Sequence, residues 1–133
     1  MLRRILVSPL EDMLSPFRKK LYPDAANGWD ANGLRKMLAP VRDFEKRYGA
    51  RIFVGEFSAV AYAKGCDKWI ADTTSILNEY GWDWCYHAFR EWPGWSVEHE
   101  ATAGDSAATA KFSPSVDNPR KRALLSAFGN VQK

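Results

Sequence analysis

Glu56 is a lone carboxylate near the end of the apolar run RIFVGEF, residues 51 to 57. A glutamate at a strand end can act as acid, base or nucleophile, or serve only as an exposed charge capping the next loop. About one helix further on, the segment WDWCYHAFREWPGW groups Cys85, His87, Trp92 and Trp95. An imidazole can contact polar groups or move protons, and indole rings offer flat apolar faces with a polar edge. Cys85 and His87, two apart on one strand face, also have the types of a thiol nucleophile and its base, although no third group to orient the histidine is evident in the sequence.

Composition narrows the chemistry these residues serve. The chain has 133 residues, 46% hydrophobic and 14% aromatic, enough apolar material for a packed core. A net charge of +3 from 19 basic and 16 acidic residues is too balanced to imply a nucleic-acid partner. The short clusters Arg18-Lys19-Lys20 and Arg120-Lys121-Arg122 read as solvated faces. Two cysteines make no disulfide framework, and two histidines show no zinc spacing, so neither metal nor other cofactor is expected. The opening MLRRILVSPL is basic, but its apolar run stops at Ser8-Pro9, short of a secretory core, and no stretch is long enough to span a membrane. No membrane partner is expected, and the compartment stays open.

The elements that would position Glu56 and His87 follow from periodicity. Residues 1 to 29 concentrate prolines and turn formers and read as mostly irregular. Asp30 suits an N-cap, after which Leu34, Met37, Leu38, Val41, Phe44 and Tyr48 share one helical face; Pro40 should bend or split that helix, and Gly49 suits its end. A strand over 51 to 57, a helix over 65 to 80 closed by Gly81, and a strand over 82 to 89 come next. A polar Ser/Ala/Thr-rich loop over about 96 to 117 leads to Asn118-Pro119, which opens a last helix buried through Leu124, Leu125 and Phe128. Helix and strand alternate, as in parallel βα units, and both strands are apolar enough to be covered on both faces. By simple alternation Ile52, Val54 and Glu56 share one face of the first strand, and Trp82, Trp84 and Tyr86 form the bulky face of the second, opposite Asp83, Cys85 and His87; with helices on the bulky faces, Glu56 and His87 would point to the same interior side.

RIFVGEFSAV, a helix, and then YGWDWCYHAFREWPGWSVEHE, preceded by LRKMLAPVRDFEKRYG, resemble the last two strands of family 5 glycoside hydrolases over about residues 22 to 128. These are retaining cellulase-like enzymes built on an eight-stranded (β/α) barrel. The resemblance implies an α/β fold, the C-terminal portion of a TIM-type barrel with parallel strands and covering helices, forming one partial domain over 1–133 whose last βα units occupy 30–128. It implies that Glu56 is the catalytic nucleophile of an O-glycosyl hydrolase acting on β-linked polysaccharide or oligosaccharide. Retaining hydrolysis needs a second carboxyl group about 5 to 5.5 Å from the nucleophile. In the family this acid/base lies in an Asn-Glu-Pro motif upstream, which this sequence lacks. The expectation is therefore a truncated chain, weakly active or inactive alone, with self-association through uncovered sheet edges. Trp92 is expected as a sugar-stacking platform, with Trp95 beside it and His87 as a polar contact. A non-catalytic carbohydrate-binding protein is the alternative.

Overall fold

The computed structural model describes residues 5–6 and 21–129. Asp30 caps the first helix, α1 (Ala31–Tyr48), its carboxylate accepting the Gly33 amide at 2.8 Å. Gly49 ends it in the left-handed region, φ 58°, where a glycine avoids the Cβ clash. Pro40 was expected to bend or split this helix, yet α1 runs as one element. An internal proline forfeits one backbone bond, and here its ring lies on the exposed side.

Strand β2 (Ile52–Phe57), helix α2 (Cys66–Tyr80) and strand β3 (Asp83–Tyr86) follow, and β2 and β3 are adjacent and parallel. The second strand ends at Tyr86, earlier than the expected residue 89. On the other side of β2 the backbone of β1 (Ile5–Leu6) pairs in parallel, Ile5 with Ile52 and Leu6 with Phe53, giving the order β1-β2-β3. The segment read as irregular thus supplies a short strand. It also supplies core: Tyr22 and Trp29 are buried edge to face at 5.8 Å around a short 3-10 turn, Ala25–Asn27. Tyr22 donates its hydroxyl to Asp72 on α2 at 2.6 Å, which ties this turn to the helix layer. The Arg18-Lys19-Lys20 cluster lies outside the described residues.

The core lies between the sheet and the helices. Ile52, Val54 and Phe57 of β2 meet Trp69, Ile70, Ile76 and Leu77 of α2, with Leu34 and Leu38 of α1 and Trp82 closing the sides. The expected loop over 96 to 117 contains an antiparallel hairpin, β4 (His99–Ala103) and β5 (Lys111–Pro114). Its strands, HEATA and KFSP, carry Ala, Glu, Lys and Pro, which strands disfavour, and a two-stranded ribbon depends on what it packs against.

Helix α3 (Pro119–Gly129) starts as the Asn-Pro pair indicates, with Asn118 accepting the Lys121 amide at 3.0 Å and donating to the Val97 carbonyl at 2.7 Å. Its buried side differs from the expected one. Arg120, Leu124 and Ala127 are buried, whereas Leu125 and Phe128 are exposed, Phe128 lying flat on Trp84 at 5.2 Å. The spacing i, i+4, i+7 selects the inward face, and Leu125 falls on its flank. Among the described residues no helix is long and apolar enough to cross a membrane.

Candidate active site

Glu56 owes its direction to an irregularity in β2. Val54 pairs with Trp84 and Phe57 with Tyr86, so Gly55 and Glu56 together oppose the single residue Cys85. This is a β-bulge, which breaks alternation and turns the following side chains over. Phe57 consequently joins Ile52 and Val54 on the helix side, edge to face with Trp84 at 5.5 Å and with Tyr86 at 5.6 Å. The expectation that Glu56 shares a face with Val54 is therefore corrected: the bulge puts Glu56 on the side of Asp83 and Cys85, away from the helices. Glu56 is exposed there, with no hydrogen bond or ion pair among the described residues.

The β3 exit borders this carboxylate. The His87 amide donates to the Phe57 carbonyl at 2.9 Å, extending the strand pairing one residue past Tyr86. The His87 ring packs on Trp95 at 4.9 Å, and its Nε2 lies 3.2 Å from Glu91. Trp95 meets Trp92 edge to face at 5.2 Å, and Trp92 meets Phe112 of the hairpin at 5.5 Å. The Trp92 ring rests on Gly94, where an added Cβ would lie 2.2 Å from the indole, so a side chain at 94 would have to displace that ring. His87, Trp95 and Trp92 thus form one continuous aromatic wall, extended by Phe112. Cys85 is exposed and shares no hydrogen bond with His87, which faces Glu91 instead. That arrangement offers nothing to activate the thiol.

One buried cation holds the wall in place, and the reading of Arg120-Lys121-Arg122 as a solvated cluster misses it. Arg120 is 3% exposed. Its Nη1 donates to the carbonyls of Ala59 at 2.8 Å, Gly94 at 3.2 Å and Trp95 at 3.3 Å; its Nη2 donates to Ser96 at 2.7 Å and His99 at 2.8 Å. A planar guanidinium can meet this many acceptors at once, where an ammonium cannot. Arg120 joins the chain leaving β2, the tryptophan loop and the hairpin to α3. Spacing alone does not single it out, since Arg120 stands four residues before Leu124 and Lys121 four before Leu125. Close by, Tyr86 donates its hydroxyl to the Trp95 carbonyl at 2.9 Å, and burial pushes its phenol pKa up.

Beyond the wall, Arg90 adopts a left-handed backbone, φ 55°. Its guanidinium lies over the Phe89 ring at 4.8 Å and bonds Glu98 at 2.6 Å. That bond holds the Glu98 carboxyl below its ordinary range.

No protein-family model matches the chain, and no curated protein matches it. Among solved structures the chain is similar to Thermotoga maritima Cel5A in complex with cellobiose, at TM-score 0.56 and 16% identity, over 85% of this chain and 31% of that one. It is similar to Cel5A in complex with mannotriose at TM-score 0.57, with the same identity and coverage. The likeness establishes a shared α/β fold of parallel strands and covering helices. This chain spans 31% of the length of the Cel5A chain it matches.

Proposed function

We propose that this chain is the nucleophile-bearing C-terminal portion of a (β/α) barrel glycoside hydrolase of the family 5 type, with Glu56 as nucleophile. The observation that carries the reading is the bulge: it turns an exposed carboxylate out of the helix-packed face at the C-terminal end of a parallel strand, one residue before Phe57, whose carbonyl accepts the amide of His87 at the start of the aromatic wall. Active sites of (β/α) barrels gather at that end of the strands. The Cel5A complexes hold cellobiose and mannotriose, which supports a β-linked gluco- or manno-oligosaccharide as the substrate class.

In this reading the Glu56 carboxylate attacks the anomeric carbon and forms a glycosyl ester while the glycosidic bond breaks. The leaving oxygen takes its proton from a second carboxylic acid, and the resulting carboxylate later removes a proton from the water that frees the sugar. His87, Trp92 and Trp95 line the sugar's approach, His87 as a polar contact and the indoles as apolar surface. With no Asn-Glu-Pro in the sequence, that acid comes from outside this chain, and the chain alone turns over polysaccharide negligibly.

Treatment with a fluorinated, activated aryl cellobioside followed by mass spectrometry tests the assignment. Such a leaving group departs with little protonation, so an adduct is expected on Glu56 and is expected to vanish in Glu56→Gln. Robust polysaccharide hydrolysis that survives Glu56→Gln would sink it. Sugar binding without any adduct would instead favour a non-catalytic carbohydrate-binding protein, a reading the missing second carboxylate supports.

A further inference from the structure

We infer that Phe89 is an outer sugar-stacking platform of the site, backed by Arg90 and Glu98; this rests on the carbohydrate reading above. Phe89 is 74% exposed. Single exposed apolar residues are ordinary on a protein surface, so exposure alone assigns nothing. Comparison with the other exposed aromatics is more telling. Tyr48 leans on Phe44 at 4.7 Å, and Phe128 lies flat on Trp84 at 5.2 Å, so each covers apolar surface of its own protein. Phe89 has a cation for a partner, the Arg90 guanidinium at 4.8 Å from its centroid, and that cation is in turn held by Glu98 at 2.6 Å.

The backbone favours the same conclusion. Arg90 sits in the left-handed region, which disfavours any residue with a Cβ and persists where the surroundings impose it. Here the conformation folds the Arg90 side chain back over the ring that precedes it. Phe89 stands two residues beyond His87, whose amide is bonded to the strand that carries Glu56. Residue 89 therefore follows the sheet at the same C-terminal edge as the proposed nucleophile.

A pyranose suits this arrangement. Its axial C–H groups form an apolar face that stacks on an aromatic ring, and its equatorial hydroxyls need donors and acceptors around the rim. Phe89 supplies the ring, fixed on one side by the guanidinium, while Arg90 and Glu98 supply polar groups at its border. The indoles of Trp92 and Trp95 are each engaged by neighbouring rings, which leaves Phe89 the most exposed aromatic surface of the site.

Titration of the isotope-labelled chain with cellotetraose and with mannotriose, followed by NMR, tests the inference. Saturable shifts are expected at residues 87 to 98. Phe89→Ala should weaken binding about fivefold and Phe89→Tyr should restore it, in keeping with the stacking increment of an aromatic contact. Leu125→Ala removes a comparably exposed apolar side chain on α3 and should leave affinity unchanged. Equal affinity in Phe89→Ala and the parent chain overturns the platform; if Glu56 is still labelled by the fluorinated glycoside, the function proposed above stands without it. Equal weakening by Leu125→Ala also overturns it. Failure of the parent chain to bind either sugar overturns the platform and the carbohydrate reading together.

Discussion

Replacement of Arg120 by methionine keeps an unbranched apolar stem and removes the guanidinium with every donor, so it reads out what that group contributes. Five carbonyls lose a partner. Three of them keep another: Gly94 accepts the Ala61 amide at 2.8 Å, Ser96 the His99 amide at 3.3 Å, and Trp95 the Tyr86 hydroxyl at 2.9 Å. Among the described residues the Ala59 and His99 carbonyls have no other such donor outside regular secondary structure. His99 opposes Pro114, which has no amide hydrogen, and the neighbouring bond runs from the Ser115 amide to the Glu98 carbonyl, so the His99 carbonyl points out of the hairpin toward Arg120. Two orphaned buried acceptors cost roughly 1 to 3 kcal/mol each, and relief from burying a charge returns part of that, leaving about 3 kcal/mol. For a chain of this size that lowers Tm by roughly 10 °C. Arg120→Lys should recover little, because one ammonium cannot span acceptors contributed by three segments. Arg122, two residues on and exposed, is the control; Arg122→Met should stay within about 0.5 kcal/mol of the parent. Denaturant unfolding of the three variants measures this. Arg120→Met within about 0.5 kcal/mol of the parent, or Arg122→Met equally destabilised, would refute the clamp.

Two further outcomes follow from the faces of the sheet. Phe57 is 1% exposed and touches Trp69, Trp84 and Tyr86, so Phe57→Ala should cost about 3 to 5 kcal/mol by denaturant unfolding; a cost under about 1 kcal/mol would mean that Phe57 is not on the helix side and that the bulge is absent. Burial raises the Cys66 thiol pKa, so at a given pH less of it is thiolate, while Cys85 is exposed; iodoacetamide at pH 8 should therefore modify Cys85 first, and Cys66 should gain ground only as pH rises. Peptide mapping that finds Cys66 modified first would contradict the placement of Cys85 on the open face.

What the sequence determines by itself is everything written in neighbouring residues. The bounds of α1 and α2 follow from Asp30, Gly49 and Gly81, which cap within a turn of where they stand, and from apolar side chains repeating at helical period. The parallel pairing of β2 and β3 follows from the helix between them, since a crossover of that kind returns the chain in the same direction. The types that make up the candidate site stand in the sequence itself: Glu56 near the end of β2, His87 just past β3, and Trp92 and Trp95 in the loop that follows. Three things belonged to the tertiary structure. The bulge opposes Gly55 and Glu56 to Cys85 and so separates Glu56 from Ile52 and Val54, with which alternation groups it; a register between strands about 30 residues apart leaves no mark in either strand read alone. The hairpin β4-β5 arises in sequence with weak strand propensity, because Phe112 can lean on Trp92 and the His99 carbonyl can reach Arg120. Arg120 looks like one charge in a basic cluster until five carbonyls from distant segments converge on it, and a cation is buried only where the fold has assembled enough acceptors to replace its water.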